Sequence, residues 1–149
     1  MSQALLENKK VRLRFNILEP FSAGMELFGH EVKSLRSKLG SLEGSRVVVR
    51  AGEAFLVGST IPPYQGANTP ETYEPERTRK LLLNKKEIAQ ILDAEGKKGL
   101  TVVPLEVYNN GRHLKLRLAI VSGKNKADRR EDLKKADAMR DVAREIRKR

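Results

Sequence analysis

The sequence predicts a mainly β fold: six antiparallel strands curled into a barrel, with one main helix, a short helical turn and a basic C-terminal tail. Three observations carry this reading. Two hairpins are legible, residues 46–50 with 53–61 about Ala51-Gly52, and residues 100–108 with 112–121 about Asn109-Asn110-Gly111. A capped helical stripe stands out at Asn84 to Gly99. The β pattern ends at Ser122, and from Asp128 to Arg149 there is no Gly, no Pro and no β-branched alternation. A chain of 149 residues allows one domain with one core. The expected organisation is an N-terminal arm over 1–7, a barrel over 8–121 and a tail over 122–149.

In order along the chain, residues 1–7 show no periodicity and read as a frayed arm. Asn8-Lys9-Lys10-Val11-Arg12-Leu13-Arg14 holds four basic residues in seven. It is either a solvated lead-in to a strand or an arm that contacts phosphates. A strand follows from Phe15, with Ile17 on the same side, bent by Pro20 and Gly24. Gly29-His30-Glu31-Val32-Lys33-Ser34-Leu35-Arg36 alternates Val32, Ser34 and Arg36 against Glu31, Lys33 and Leu35, which predicts the strand on which the chain is organised. Its charge suits either a binding surface or an edge strand defended against pairing. Residues 37–45, with Gly40, Ser41 and Gly44, predict a turn with a short helical piece.

In the first hairpin Val47 and Val49 alternate with Val48, as in a closed barrel with both faces covered. Residues 62–78, with four prolines and Gly66, form the longest stretch without a hydrophobic period. Within it 65–74 reads as a loose excursion. Arg77, Arg79 and Lys80 put three cations in four residues just before Leu81-Leu82-Leu83, where an anchored backbone could hold them against phosphates. Asn84 with Glu87 predicts a capping box, and Ile88, Ile91 and Leu92 a stripe lying across the barrel's open end. Leu114, Leu116 and Leu118 alternate with Lys115 and Arg117, a half-buried strand. The tail carries a thin stripe of Leu133, Ala136, Met139, Ala143 and Ile146, too little to hold a helix alone.

Charge narrows the partner. Thirty Lys+Arg against 19 Asp+Glu leave a formal net charge of +11, which favours a polyanion. There is no Cys, so disulfides and thiolate metal sites are excluded. No apolar run has the length of a membrane span, and the N-terminus lacks the pattern of a signal peptide, so a cytoplasmic protein with no membrane partner is expected. The aromatics are four Phe and three Tyr. Phe15, Phe21, Phe28 and Phe55 all fall where a core would take them, so cations outnumber stacking platforms. That balance suits a folded RNA read through its phosphates and shape.

Glu31-Val32-Lys33-Ser34-Leu35-Arg36 after a Gly, followed by Arg77-Thr78-Arg79-Lys80-Leu81-Leu82-Leu83-Asn84, resembles the SsrA-binding protein family (small protein B, the protein partner of transfer-messenger RNA). The resemblance runs from about Asn8 to the C-terminus. It implies an oligonucleotide-binding-like barrel that holds the transfer-RNA-like domain of transfer-messenger RNA and takes the place of a missing anticodon arm. It implies delivery to the A site of stalled ribosomes, where the nascent chain is tagged for degradation. Elongation factor Tu and alanyl-tRNA synthetase would be partners only through the RNA.

The expected RNA contacts are Asn8, Lys9, Arg12, Glu31, Lys33, Arg36, Arg77, Arg79 and Lys80, with cations on phosphates and Asn8 and Glu31 orienting them or meeting a ribose hydroxyl. For Glu31 an internal salt bridge is the alternative. The tail motifs Gly123-Lys124 and Asp128-Arg129-Arg130, with Lys134, imply a segment disordered when free and helical in the message channel and decoding centre of the small subunit. Leu13, Ser22, Ser122 and Asn125 depart from the family pattern, which puts the contacts made at those points in doubt.

No cofactor or metal is expected, and the residues offer little for catalysis. His30 and His113 are expected on separate strands with no evident partner, and no phosphate-cradling Gly-rich loop precedes a helix. A nuclease using His30 and Glu31 is the rival of another class, disfavoured because neighbours on a strand face opposite ways. Intact labelled RNA after incubation with the protein would reject it. A generic single-strand-binding barrel is the second rival, and it predicts tight binding to homopolymer RNA.

Overall fold

The structure is a computed structural model that describes residues 3–64 and 69–124. Among them are seven strands and three helices: β1 (Gln3–Glu7), α1 (Val11–Arg14), β2 (Phe15–Met25), α2 (Gly29–Arg36), β3 (Arg46–Arg50), β4 (Glu53–Val57), β5 (Arg79–Leu82), α3 (Lys85–Glu95), β6 (Leu100–Asn110) and β7 (His113–Gly123). The strands form one antiparallel sheet in the order β1-β6-β7-β2-β5-β4-β3. It curls until β3 lies near β6, and α3 packs against both.

Both predicted hairpins form. Val49 faces Ala54 and Arg50 faces Glu53 across a two-residue turn whose Ala51 (φ 53°) and Gly52 (φ 76°) both have positive φ. That is the turn whose twist matches paired strands. The β6–β7 hairpin pairs Asn110 with His113, and Leu116 and Leu118 are wholly buried. β2 continues through Pro20, just past an irregularity in its pairing with β7 between Ile17 and Glu19. At that point it pairs only with β7, so the missing N–H falls on an open side. The Asn84 side chain accepts from the Glu87 amide at 2.8 Å, and the Glu87 carboxylate accepts from the Asn84 amide at 3.2 Å. α3 buries Ile91 and Ala94 against the core, while Leu92 points outward. Full burial of a side chain such as Ile91 contributes about 1.5–3 kcal/mol.

Two expectations are corrected. The first concerns 1–7, where β1 replaces the frayed arm. Its register with β6 shifts between Ala4 and Leu6. The bulge turns both Leu5 and Leu6 inward, which erases the alternation that would have marked a strand. With β5 as a further strand the sequence did not show, and with residues 29–36 lost from the sheet, seven strands replace the six expected. At the other boundary β7 continues through Gly123, two residues past the expected end of the barrel.

The second concerns Gly29–Arg36, which is a helix. Its buried residues are His30, Glu31, Ser34 and Leu35, the spacing of a helical face rather than of a strand. Phe28 is extended at the N-cap, and its amide donates to Glu31 Oε1 at 2.8 Å. Lys33 and Arg36 fall in the last turn, where the helix dipole favours cations. α1 is a single helical turn that leads directly into β2. Its Val11 covers Val103, Ala119 and Val121 on the outer face of the sheet.

Candidate nucleic-acid interface

α2 and the segment before β5 meet at a buried carboxylate. Glu31 has no exposed surface, and neither has Arg79. Glu31 Oε2 accepts from Arg79 Nη2 at 2.8 Å, Arg79 Nε at 3.1 Å and Arg77 Nε at 3.0 Å. Oε1 accepts from Arg77 Nη2 as well as from the Phe28 amide. The Tyr73 hydroxyl lies 2.9 Å from Oε2 and 2.7 Å from the Ile61 carbonyl, and its one proton serves one of them at a time. Arg79 further donates to the Ser59 carbonyl (3.1 Å), Ser59 Oγ (3.2 Å) and the Pro75 carbonyl (2.8 Å). Ser34 Oγ donates to the Pro62 carbonyl at 2.7 Å. One helix face thereby ties down both ends of the 62–78 loop.

Burial alone would push the Glu31 carboxyl up. The donors from Arg77, Phe28, Arg79 and Tyr73 outweigh it and hold Glu31 down to about 2. Tyr73 moves the other way, pushed up to about 12 by burial and by the Glu31 carboxylate. A carboxylate so fully occupied has no lone pair for a proton or a metal. Glu31 and Arg79 are therefore an internal ion pair, not surface contacts, and this corrects their expected role. Arg77 is partly exposed, and its guanidinium also lies 4.1 Å over the Phe28 ring.

The remaining expected contacts divide. Lys9, Arg12, Lys33 and Arg36 are exposed. Lys9 and Arg12 line one cleft of about 350 Å³ with Arg117. Arg36 Nη2 donates to the Arg112 carbonyl at 2.9 Å, joining α2 to the β6–β7 turn. Lys80 pairs with Glu53 at 3.0 Å. Asn8 is structural: its side-chain amide donates to the carbonyls of Pro104 (3.0 Å) and Leu42 (3.4 Å). Gly123 ends the β2–β7 ladder opposite Phe15. Lys124 is tied to α1, its amide to the Arg14 carbonyl and its Nζ to the Arg12 carbonyl, each at 2.9 Å. Asp128, Arg129, Arg130 and Lys134 lie outside the described residues.

Two participants were missed. Tyr73 falls within the stretch read as loose, yet it is a keystone of the cluster; an aromatic inside a polar, proline-rich loop was the available signal. Residues 65–68 of that stretch lie outside the described residues. Phe28 was placed in the core and is 52% exposed instead. Ser22, one of the departures, is bonded to the Tyr108 hydroxyl. Among the described residues no cluster of acidic, His or Cys side chains could hold a metal, and no helix is long and apolar enough to cross a membrane.

Fold and surface define a small basic β-barrel whose exposed cations project from an ionically braced frame. The family model for the SmpB protein matches residues 5–148. A protein named SsrA-binding protein from Microcystis aeruginosa is 41% identical over 97% of this chain and 94% of its own length. One of the same name from Salinispora tropica is 43% identical over 95% of this chain and 89% of its own. A solved structure described as "tmRNA-SmpB: a journey to the center of the bacterial ribosome" superposes with a TM-score of 0.68 at 38% identity, covering 86% of this chain and 93% of that one. The chain belongs to the SmpB family.

Proposed function

We propose that this chain binds transfer-messenger RNA and acts with it in the rescue of stalled ribosomes by trans-translation. The observation that carries the reading is the family match over nearly the whole chain, with relatives named for binding SsrA and a structural relative described in terms of tmRNA and the ribosome. The family is one of RNA-binding proteins, and the chain makes or breaks no bond in this role. The protein works in the cytoplasm, where ribosomes stall.

The finer assignment follows from the surface. Lys9, Arg12, Lys33 and Arg36 meet phosphates of the transfer-RNA-like domain, and the partly exposed Arg77 adds its charge to the surface. Elongation factor Tu and alanyl-tRNA synthetase meet the complex through the RNA. The tail, from Asn125 on with Asp128, Arg129, Arg130 and Lys134, occupies the empty message channel. Like-charge repulsion within this basic segment is relieved against ribosomal RNA, which favours folding on binding.

The test is a pull-down of the full chain from cells, with sequencing of the bound RNA. Transfer-messenger RNA should dominate, and enrichment of unrelated single strands would defeat the reading. A chain cut after Lys124, which keeps the bonds to α1, should bind that RNA with near-normal affinity and fail to support tagging. Tagging that survives the cut would remove the tail from the mechanism.

A further inference from the structure

We propose that the cleft between the start of α2 and residues 70–77 is a seat for one unpaired nucleobase of the bound RNA. The proposal rests on the RNA-binding reading above and gives that surface a base-specific site.

The cleft measures about 460 Å³ and is lined by Phe28, His30, Tyr73 and Arg77 together with Pro70, Thr72 and Glu74. Three of these residues bring aromatic rings. The His30 ring centroid is 4.5 Å from that of Tyr73, edge-on, and 5.7 Å from that of Phe28. Phe28 is half exposed at the cleft, so its ring is open to a ligand. Arg77 has committed Nε and Nη2 to Glu31, so what it offers the cleft is chiefly a flat cationic plane laid on Phe28.

A planar, polarisable ring fits such walls, whereas a phosphate would want the donors that Glu31 already holds. A second observation points the same way. His30 is only 9% exposed, and its Nδ1 is buried without a hydrogen-bond partner. Buried polar atoms are rarely left so. A base edge carries both donors and acceptors and can satisfy either imidazole tautomer once the ring turns to bring this closed-off atom to the cleft. The base must be unpaired, because a paired one keeps its faces stacked and its edge engaged. One cleft of this kind seats one base; a general single-strand binder would show a track of stacking rings.

The experiment uses the full chain and transcribed transfer-messenger RNA, with chemical probing of base edges and of the backbone. Wild type, Phe28→Leu and Phe28→Tyr are compared. Wild type and Phe28→Tyr should protect the base of one unpaired nucleotide. Phe28→Leu should expose that nucleotide and bind about ten-fold more weakly, with an unchanged salt dependence because no phosphate contact is lost. The wild-type footprint decides even if a variant folds poorly. Absence of any protected unpaired base in wild type, or protection that survives Phe28→Leu, overturns the proposal. Backbone protection without base protection sinks the seat alone, whereas failure of wild type to bind the RNA sinks the functional reading itself. A Phe28→Leu chain with a normal RNA footprint but weakened ribosome binding would give the cleft to a ribosomal partner and also overturn the proposal.

Discussion

The two faces of α2 carry similar residue types and do opposite work. The inner face turns Glu31 and Ser34 into the protein, where they meet Arg77, Arg79, Tyr73 and the Pro62 carbonyl. The outer face turns Lys33 and Arg36 to solvent. Charge on the inner face is satisfied by the fold and is worth stability. Charge on the outer face stays exposed to solvent, which is what the proposed RNA contact requires. The difference teaches that a charged motif of this kind is not one binding site; half of it is the frame that holds the other half in place.

The sharpest way to break this division is Glu31→Gln. It leaves Arg79 buried and Arg77 partly buried with their shared counter-charge gone, which for a broken buried pair costs about 3–5 kcal/mol. Urea unfolding should show a large drop in midpoint, and the 62–78 loop should become more sensitive to proteolysis. RNA affinity at temperatures where the variant stays folded should fall less steeply than stability. A Glu31→Gln protein of wild-type stability that cannot bind RNA would reverse the assignment and return Glu31 to the interface.

The pH dependence follows from the same carboxylate. Its folded value, about 2, lies below its ordinary value of 4.5. A depressed value means that the ionised form is the one the fold favours, so the stabilisation is fully present above about pH 5 and is lost as pH falls from 4.5 towards 2. The loss is on the order of 3 kcal/mol. Acid titration of stability should therefore be steeper for wild type than for Glu31→Gln over that window. Parallel curves would mean that other carboxylates carry the acid sensitivity.

The contrast between faces also explains what was legible. The β6–β7 hairpin could be read because Leu114, Leu116 and Leu118 are buried on one side with Lys115 and Arg117 on the other, so hydrophobicity and burial coincide. The Asn84 cap was legible because both partners lie within four residues. α2 was not, because its buried face includes His30, Glu31 and Ser34, whose burial depends on partners far along the chain. A reading that equates polar with exposed takes such a face for a strand edge. β1 was hidden by its bulge. The exposed cations Lys9, Arg12, Lys33 and Arg36 were legible as charge; the braced cluster needed the fold to show that Arg77 and Arg79 converge on one carboxylate.

The smallest effect on stability, and the most direct test of the outer face, is the pair Lys33→Ala with Arg36→Ala. Both side chains are exposed, and the dipole contribution of two last-turn cations together with the Arg36 bond to Arg112 amounts to about 1 kcal/mol. The midpoint of unfolding should move far less than in Glu31→Gln. Binding to transfer-messenger RNA should weaken, and the salt dependence should change with it. Each neutralised phosphate contributes about 0.7–0.9 to the slope of log affinity against log salt, so losing two contacts should flatten it by roughly 1.4–1.8. The single variants should each remove about half of that, because the two sites release separate counterions. A weakened affinity with an unchanged slope would mean that the pair acts through the β6–β7 turn, since Arg36 reaches the Arg112 carbonyl. An unchanged affinity and slope would move the phosphate surface away from α2, towards the Lys9, Arg12 and Arg117 cleft.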